Sequence, residues 1–166
     1  MPTAVPELIA VEIVTRLEAI TVANGYAFNV AEVVRPSRKG HNWDRAHLGV
    51  GVLQSDSERV PELDCPGNPP ALCYRVTFNL ECVCKDSEID SPTAAHATNE
   101  NEMAATVIKA LTVGGNTWHT MDGNAIDTEI GTHQPFTSSE GEMNGVMIPI
   151  AVLYRVDENN PYNVRG

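Results

Sequence analysis

The sequence predicts an α+β domain: a mainly antiparallel β-sheet with an N-terminal helix and a second helix packed on one face, joined by long surface loops. Three observations lead there. The stretch "LCYRVTFNLECVC" alternates apolar and polar residues, placing Tyr74, Val76, Phe78, Leu80, Cys82 and Cys84 on one side. Near the C-terminus Val146, Ile148, Ile150, Val152, Tyr154 and Val156 alternate in the same way. Two other segments repeat apolar residues every three or four positions, the period of a helix with one buried face. At 166 residues the chain is long enough for one core. We read 1–156 as a single domain and 157–166 as a C-terminal arm.

The first helix is marked by Pro6, which suits the opening turn, and by Ile9, Ile13, Leu17 and Ile20 on one face. "ANGY" ends it, with Asn24 or Gly25 able to take the left-handed cap. An alternating strand, "YAFNVAEVV", carries Tyr26, Phe28 and Val30, and "HLGVGVLQ" forms a second, Gly-spaced strand. The prolines and Gly67 of "SDSERVPELDCPGNPPA" predict a long loop without regular structure. The strand of "LCYRVTFNLECVC" follows and should be the sheet's centre.

A second helix runs through "NENEMAATVIKALTV". Met103, Val107 and Leu111 form its stripe, and Gly114 and Gly115 stop it. "NAIDTEIG" is a short strand candidate, and "THQPFTSSEGEMNG" reads as a polar loop. The last strand contains Pro149, whose missing N–H predicts an unpaired edge at that point.

Charge excludes one class of function. Net charge is −11, from 22 acids and 11 bases, and residues 84–166 hold 12 acids against 4 bases. Such a chain does not grip phosphate backbones, which needs clustered Lys and Arg. DNA could still pass close by without sticking, because like charges repel. No apolar run approaches the ~18 residues of a membrane span, and the N-terminus lacks a basic start. We expect a protein made in a cytoplasm, with no membrane contact.

The four cysteines, Cys65, Cys73, Cys82 and Cys84, do not match zinc-ligand spacings. In a reducing compartment they are expected to be thiols, with no metal and no cofactor. The five histidines include His41 and His47, which flank Asp44 in "HNWDRAH". Six residues apart in a loop is not a ligand spacing, so these read as surface groups. No nucleophile elbow, zinc-protease helix, phosphate loop or dinucleotide fingerprint is present. No catalytic residue is assigned, and an enzyme is not expected.

Two stretches stand out as contact candidates. Arg35, Arg38, Lys39 and Arg45 make the chain's one basic stretch, suited to an acidic partner such as another copy of this protein. At the other terminus, "DENNPYNVRG" follows the last strand and holds out Pro161 and Tyr162. An aromatic anchor brings large contact area at low entropic cost.

The layout resembles the tail terminator (tail completion) proteins of tailed bacteriophages, of the lambda type. The resemblance runs through the apolar N-terminal helix, the turn and strand "NGYAFNVAEVVR", and the central strand "CYRVTFNLECVC". It continues through the Ala-rich helix "EMAATVIKAL" and the ending "IPIAVLYRV" followed by "DENNPY". The loop "PELDCPGNPP" and its cysteines depart from the family's pattern.

The resemblance implies a structural virion protein that forms a hexameric ring on the head-proximal end of the tail tube. Such a ring halts tube polymerisation, and its partners are further copies of itself, the tail tube protein and a head-completion or connector protein. DNA would traverse the lumen without specific binding, facing carboxylates between Glu88 and Glu142. Two alternatives stay open on the residues alone: another head–tail connector or tail-tube-like protein, and a small cytoplasmic enzyme.

Overall fold

A computed structural model describes residues 3–35, 48–85, 95–137 and 143–164. Its architecture is the expected one, an α+β arrangement of a mostly antiparallel sheet with helices on one face. The order is α1 (Val5–Glu18), a 3-10 turn (Val22–Asn24), β1 (Glu32–Val34), β2 (Leu48–Gln54) and β3 (Glu58–Arg59). A second 3-10 turn (Pro61–Leu63) and β4 (Ala71–Lys85) follow, then α2 (Ala95–Thr112) and α3 (Asn116–His119). β5 (Asp127–Ile130), β6 (Gln134–Thr137), β7 (Met143–Asp157) and β8 (Asn160–Val164) complete it.

The sheet runs β1-β2-β4-β7-β5, with β3 also on β4 and both β6 and β8 also on β7. Among the described strands, only β1 and β2 pair in parallel. β4 and β7 are the two long central strands, paired from Ala71↔Asp157 to Lys85↔Met143. Their alternation explains the core. Val76, Phe78, Leu80 and Cys82 of β4 meet Ile148, Ile150 and Val152 of β7, all essentially without solvent contact. Val5, Ile9, Ile13 and Leu17 of α1 and Val107 and Leu111 of α2 close over that face. Each buried aliphatic or aromatic side chain contributes roughly 1.5–3 kcal/mol before ordering entropy, so this layer dominates stability.

The two helices are also tied by a charged side chain. Arg16 donates through Nε to Glu12 Oε1 at 2.7 Å, and through Nη1 to the carbonyls of Leu111 and Val113 at 2.8 and 2.7 Å. The last carbonyls of α2 have no partner within the helix, so an arginine from α1 supplies one.

Several expectations need correction. The first helix ends at Glu18, short of Ala23; Ile20 is still buried, and the left-handed cap falls on Gly25 (φ 82°) of the following 3-10 turn. "YAFNVAEVV" forms a strand only over Glu32–Val34, while Tyr26, Phe28 and Val30 pack half-buried on the core from irregular backbone. Apolar alternation there reports contact with the helices, not a ladder. Cys73 and Val83 are buried on the face opposite the helices, beneath the 56–70 loop and against Val34 and Phe136 respectively. The polar loop 132–145 contains β6, because Phe136 lies over Gly145 of β7.

The expectation for Pro149 holds. Gly131 N donates to Pro149 O at 2.8 Å, so the carbonyl of Pro149, and with it the side of its missing N–H, faces the β5–β6 edge. That edge is interrupted at this level. β5 stops at Ile130, opposite Ile150, and β6 begins at Gln134, opposite Met147. No ladder bond is lost.

Candidate interaction surface

The end of the sheet at Ala71 and Asp157 is closed by two segments, the 55–70 loop and the β7–β8 hairpin. The loop is not structureless, contrary to its proline-based reading. Glu58 and Arg59 pair with Arg75 and Tyr74 as β3, Pro61–Leu63 form a 3-10 turn, and the Asn68–Pro69 peptide is cis. Prolines occupy positions that need no donor, and the N–H groups of Val60, Leu63, Asp64 and Cys65 find backbone carbonyls.

Asp64 holds the loop to β4. Its Oδ1 accepts from Cys73 N at 2.7 Å and its Oδ2 accepts from Arg59 Nη2 at 2.7 Å. The Cys73 amide first, and then Arg59, hold the carboxyl below the usual Asp range. Beyond it Cys65 and Ala71 exchange both backbone hydrogen bonds, 2.9 and 3.0 Å. Arg155 Nε donates to Leu63 O at 3.3 Å, and Tyr154 OH donates to Ser57 Oγ at 3.1 Å. Tyr154 also stacks on Tyr74, directly opposite in the ladder, with centroids 5.7 Å apart.

The hairpin replaces the expected free arm. Asp157 pairs with Asn160 and Val156 with Val164, so Pro161, Tyr162 and Asn163 stand as extra residues on β8 with none opposite on β7. A bulge of this kind re-aims side chains. Pro161 is exposed and Tyr162 is 47% exposed, whereas Val164 returns to pack on the core beside α1. The C-terminal segment is therefore part of the domain through Val164, and the boundary at 156/157 does not separate a tether. Loop and hairpin are joined by Glu158 N, which donates to Pro70 O at 3.0 Å.

Of the basic stretch, Arg35 directly follows β1 and forms an ion pair with Glu7 of α1. Both side chains are well exposed, so the pair adds little stability. Arg38, Lys39 and Arg45 lie outside the described residues. The structure does not bring Arg35 together with Pro161 and Tyr162: β1 is one edge of the sheet, and β8 lies beyond β7. Of the carboxylates between Glu88 and Glu142, Asp127 and Glu129 sit exposed on β5, Asp127 beside His119 of α3, and Glu102 sits on α2. Glu88 and Glu142 lie outside the described residues.

The described residues offer little for catalysis. His119 Nδ1 lies 3.4 Å from Asp127 Oδ1, but both side chains are more than half exposed. Cys65, Cys73 and Cys82 are free thiols, and burial pushes the thiols of Cys73 and Cys82 up, away from the reactive thiolate. No group of three potential metal ligands occurs among the described residues. A shallow open depression lined by Gly25, Tyr26, Ala27, Ala105, Thr106 and Lys109 is spanned by Lys109 itself. Its Nζ donates to Gly25 O at 3.0 Å and lies 4.9 Å from the Tyr26 ring centre. None of the helices among the described residues is long and apolar enough to cross a membrane.

The residues that sequence reasoning missed are Asp64, Glu158 and the bulge around Tyr162. One signal was available: "DENN" is a hairpin turn composition, and Tyr162 and Val164 alternate after it. In comparisons with known proteins, no family model and no curated protein matches this chain.

Proposed function

We propose that this protein is a structural component of a bacteriophage virion, a tail terminator. It forms a ring on the head-proximal end of the tail tube, stops tube polymerisation and presents a surface to the head connector. The reading rests on the layout resemblance in the sequence. The observation that carries it further is the corner at the sheet's end. There a bulged hairpin, tied to the 55–70 loop through Glu158 N and Pro70 O, leaves Tyr162 in solvent.

Ring formation needs one surface of a subunit to meet a different surface of the next. An exposed aromatic on a fixed hairpin is suited to one half of such a contact. Tail tubes of particles made without the protein should grow past their normal length and stay unattached to heads. Tails of normal length joined to filled heads would refute the assignment.

A further inference from the structure

We propose that Cys65 and Cys73 are an oxidisable pair that closes into a disulfide once the protein leaves a reducing compartment, stapling the 55–70 loop to β4. The occasion for that change, release of a particle from its host, rests on the virion reading; the pair itself does not.

Four observations set the two thiols together. Cys65 and Ala71 exchange both backbone hydrogen bonds, so their side chains leave the backbone on the same face. Cys73 lies two residues beyond Ala71 on β4 and shares that face, which makes it the diagonal neighbour of Cys65. Asp64, the residue before Cys65, reaches across to the Cys73 amide with Oδ1 at 2.7 Å. The two thiols also interact electrostatically. Diagonal neighbours stand roughly 7–8 Å apart at Cα and less at Cβ. A disulfide spans Cα separations up to about 6.8 Å, so the loop closes by moving inward about an ångström.

The other cysteines do not compete for Cys65. Cys82 is buried in the core on the helix side of β4. Cys84 lies eleven residues beyond Cys73 on the same strand, about 36 Å away.

Exposure divides the roles. Cys65 is partly exposed and Cys73 is buried, so Cys65 meets the oxidant, a low-molecular-weight disulfide such as oxidised glutathione. The Cys65 thiolate attacks one sulfur of that disulfide, forming a mixed disulfide and releasing one glutathione thiolate. The Cys73 thiolate then attacks Cys65 Sγ, the bond between the protein's two sulfurs forms, and the second glutathione leaves as thiolate. The two protons given up by the protein pass to the two leaving thiolates. Two protein thiols are oxidised, and one glutathione disulfide is reduced to two thiols. Burial raises the Cys73 thiol, while the Arg155 guanidinium beside it works the other way and favours the attacking thiolate.

Pro70 lies inside the nine-residue loop that the bond would close, and its carbonyl accepts from Glu158 N of the hairpin. The staple therefore fixes the anchor of the β7–β8 hairpin as well. Cytoplasmic glutathione keeps the pair open during assembly, and the medium outside a cell closes it.

The full chain, Cys65→Ser and Cys73→Ser are each incubated with oxidised glutathione, then alkylated and mapped as peptides by mass spectrometry. In the full chain the peptides of Cys65 and Cys73 become joined, two hydrogens below their summed mass, and reduced glutathione separates them again. The joined form melts about 3–8 °C higher than the reduced one. Cys73→Ser keeps one glutathione on Cys65, because the resolving thiol is gone. Cys65→Ser leaves Cys73 unmodified while the protein stays folded by its melt.

A full chain that accumulates glutathione on Cys65 without joining Cys73 would overturn the pair. So would a joined form that melts no higher than the reduced one, or a Cys65→Ser protein whose folded form takes glutathione on Cys73. These measurements use the isolated chain and leave the ring reading untouched; the length of tails made without the protein decides that separately.

Discussion

The backbone N–H of Glu158 donates to the carbonyl of Pro70 at 3.0 Å, joining the turn after the last long strand to the loop before the central one. This bond makes one unit of two segments that look unrelated in sequence. Removing everything after Val156 therefore deletes a strand and exposes core. Val164 packs on the cluster beside α1, so truncation after Val156 should lower the melting temperature by several degrees. Tyr162→Ala, at an exposed bulge, should leave it within about a degree. Parallel melts of the two proteins check this, and equal losses would show that Tyr162 is structural.

Arg16 offers a sharper stability test. Arg16→Ala strips the C-terminal carbonyls of α2 of their donor and breaks the pair with Glu12. We expect a loss of about 1–3 kcal/mol in urea unfolding. Arg16→Lys should recover only part, because an ammonium cannot bridge two carbonyls and a carboxylate with a planar fork.

At Gly145 the constraint is steric. A Cβ there would stand 2.3 Å from Cys82 O and 2.8 Å from the Phe136 ring. Gly145→Ala should cost about 1–3 kcal/mol by overpacking. Pairing it with Phe136→Ala relieves the ring contact but not the backbone one, so rescue should be partial. Chemical denaturation of the single and double variants measures both.

The Asp64 clasp predicts a pH dependence. Its carboxyl is held below the ordinary value by the Cys73 amide and Arg59, so the folded state binds its proton less readily than the unfolded chain does. The contribution is therefore complete above the usual Asp range and is lost as pH falls through the lowered folded value. The difference in melting temperature between the native protein and Asp64→Asn should be constant near neutrality. It should shrink below about pH 4. A difference that grows on acidification would contradict the sign.

Much of this was legible in the sequence. The period-two runs of β4 and β7 carry their own register, since slipping either by one residue would turn Phe78 or Ile150 out of the core. The helix stripes were equally clear. What was not legible depended on partners distant in sequence. β6 exists because Phe136 finds a glycine on β7, and the extended reading of Tyr26 to Val30 fails because those residues pack on the core without a paired strand among the described residues. At the contact candidates, exposure of Tyr162 was foreseen. Its cause, a bulge in a hairpin rather than a loose tether, was not, because a bulge depends on how β8 registers against β7.

The central claim is that copies of this chain form a ring at the junction of tail and head. Imaging assembled particles at subunit-level density tests it most directly. The account predicts six copies in one closed layer at the head-proximal end of the tail tube, each contacting its neighbour through the corner that carries Tyr162. A single copy per particle, or density for this protein only inside the capsid, would contradict it.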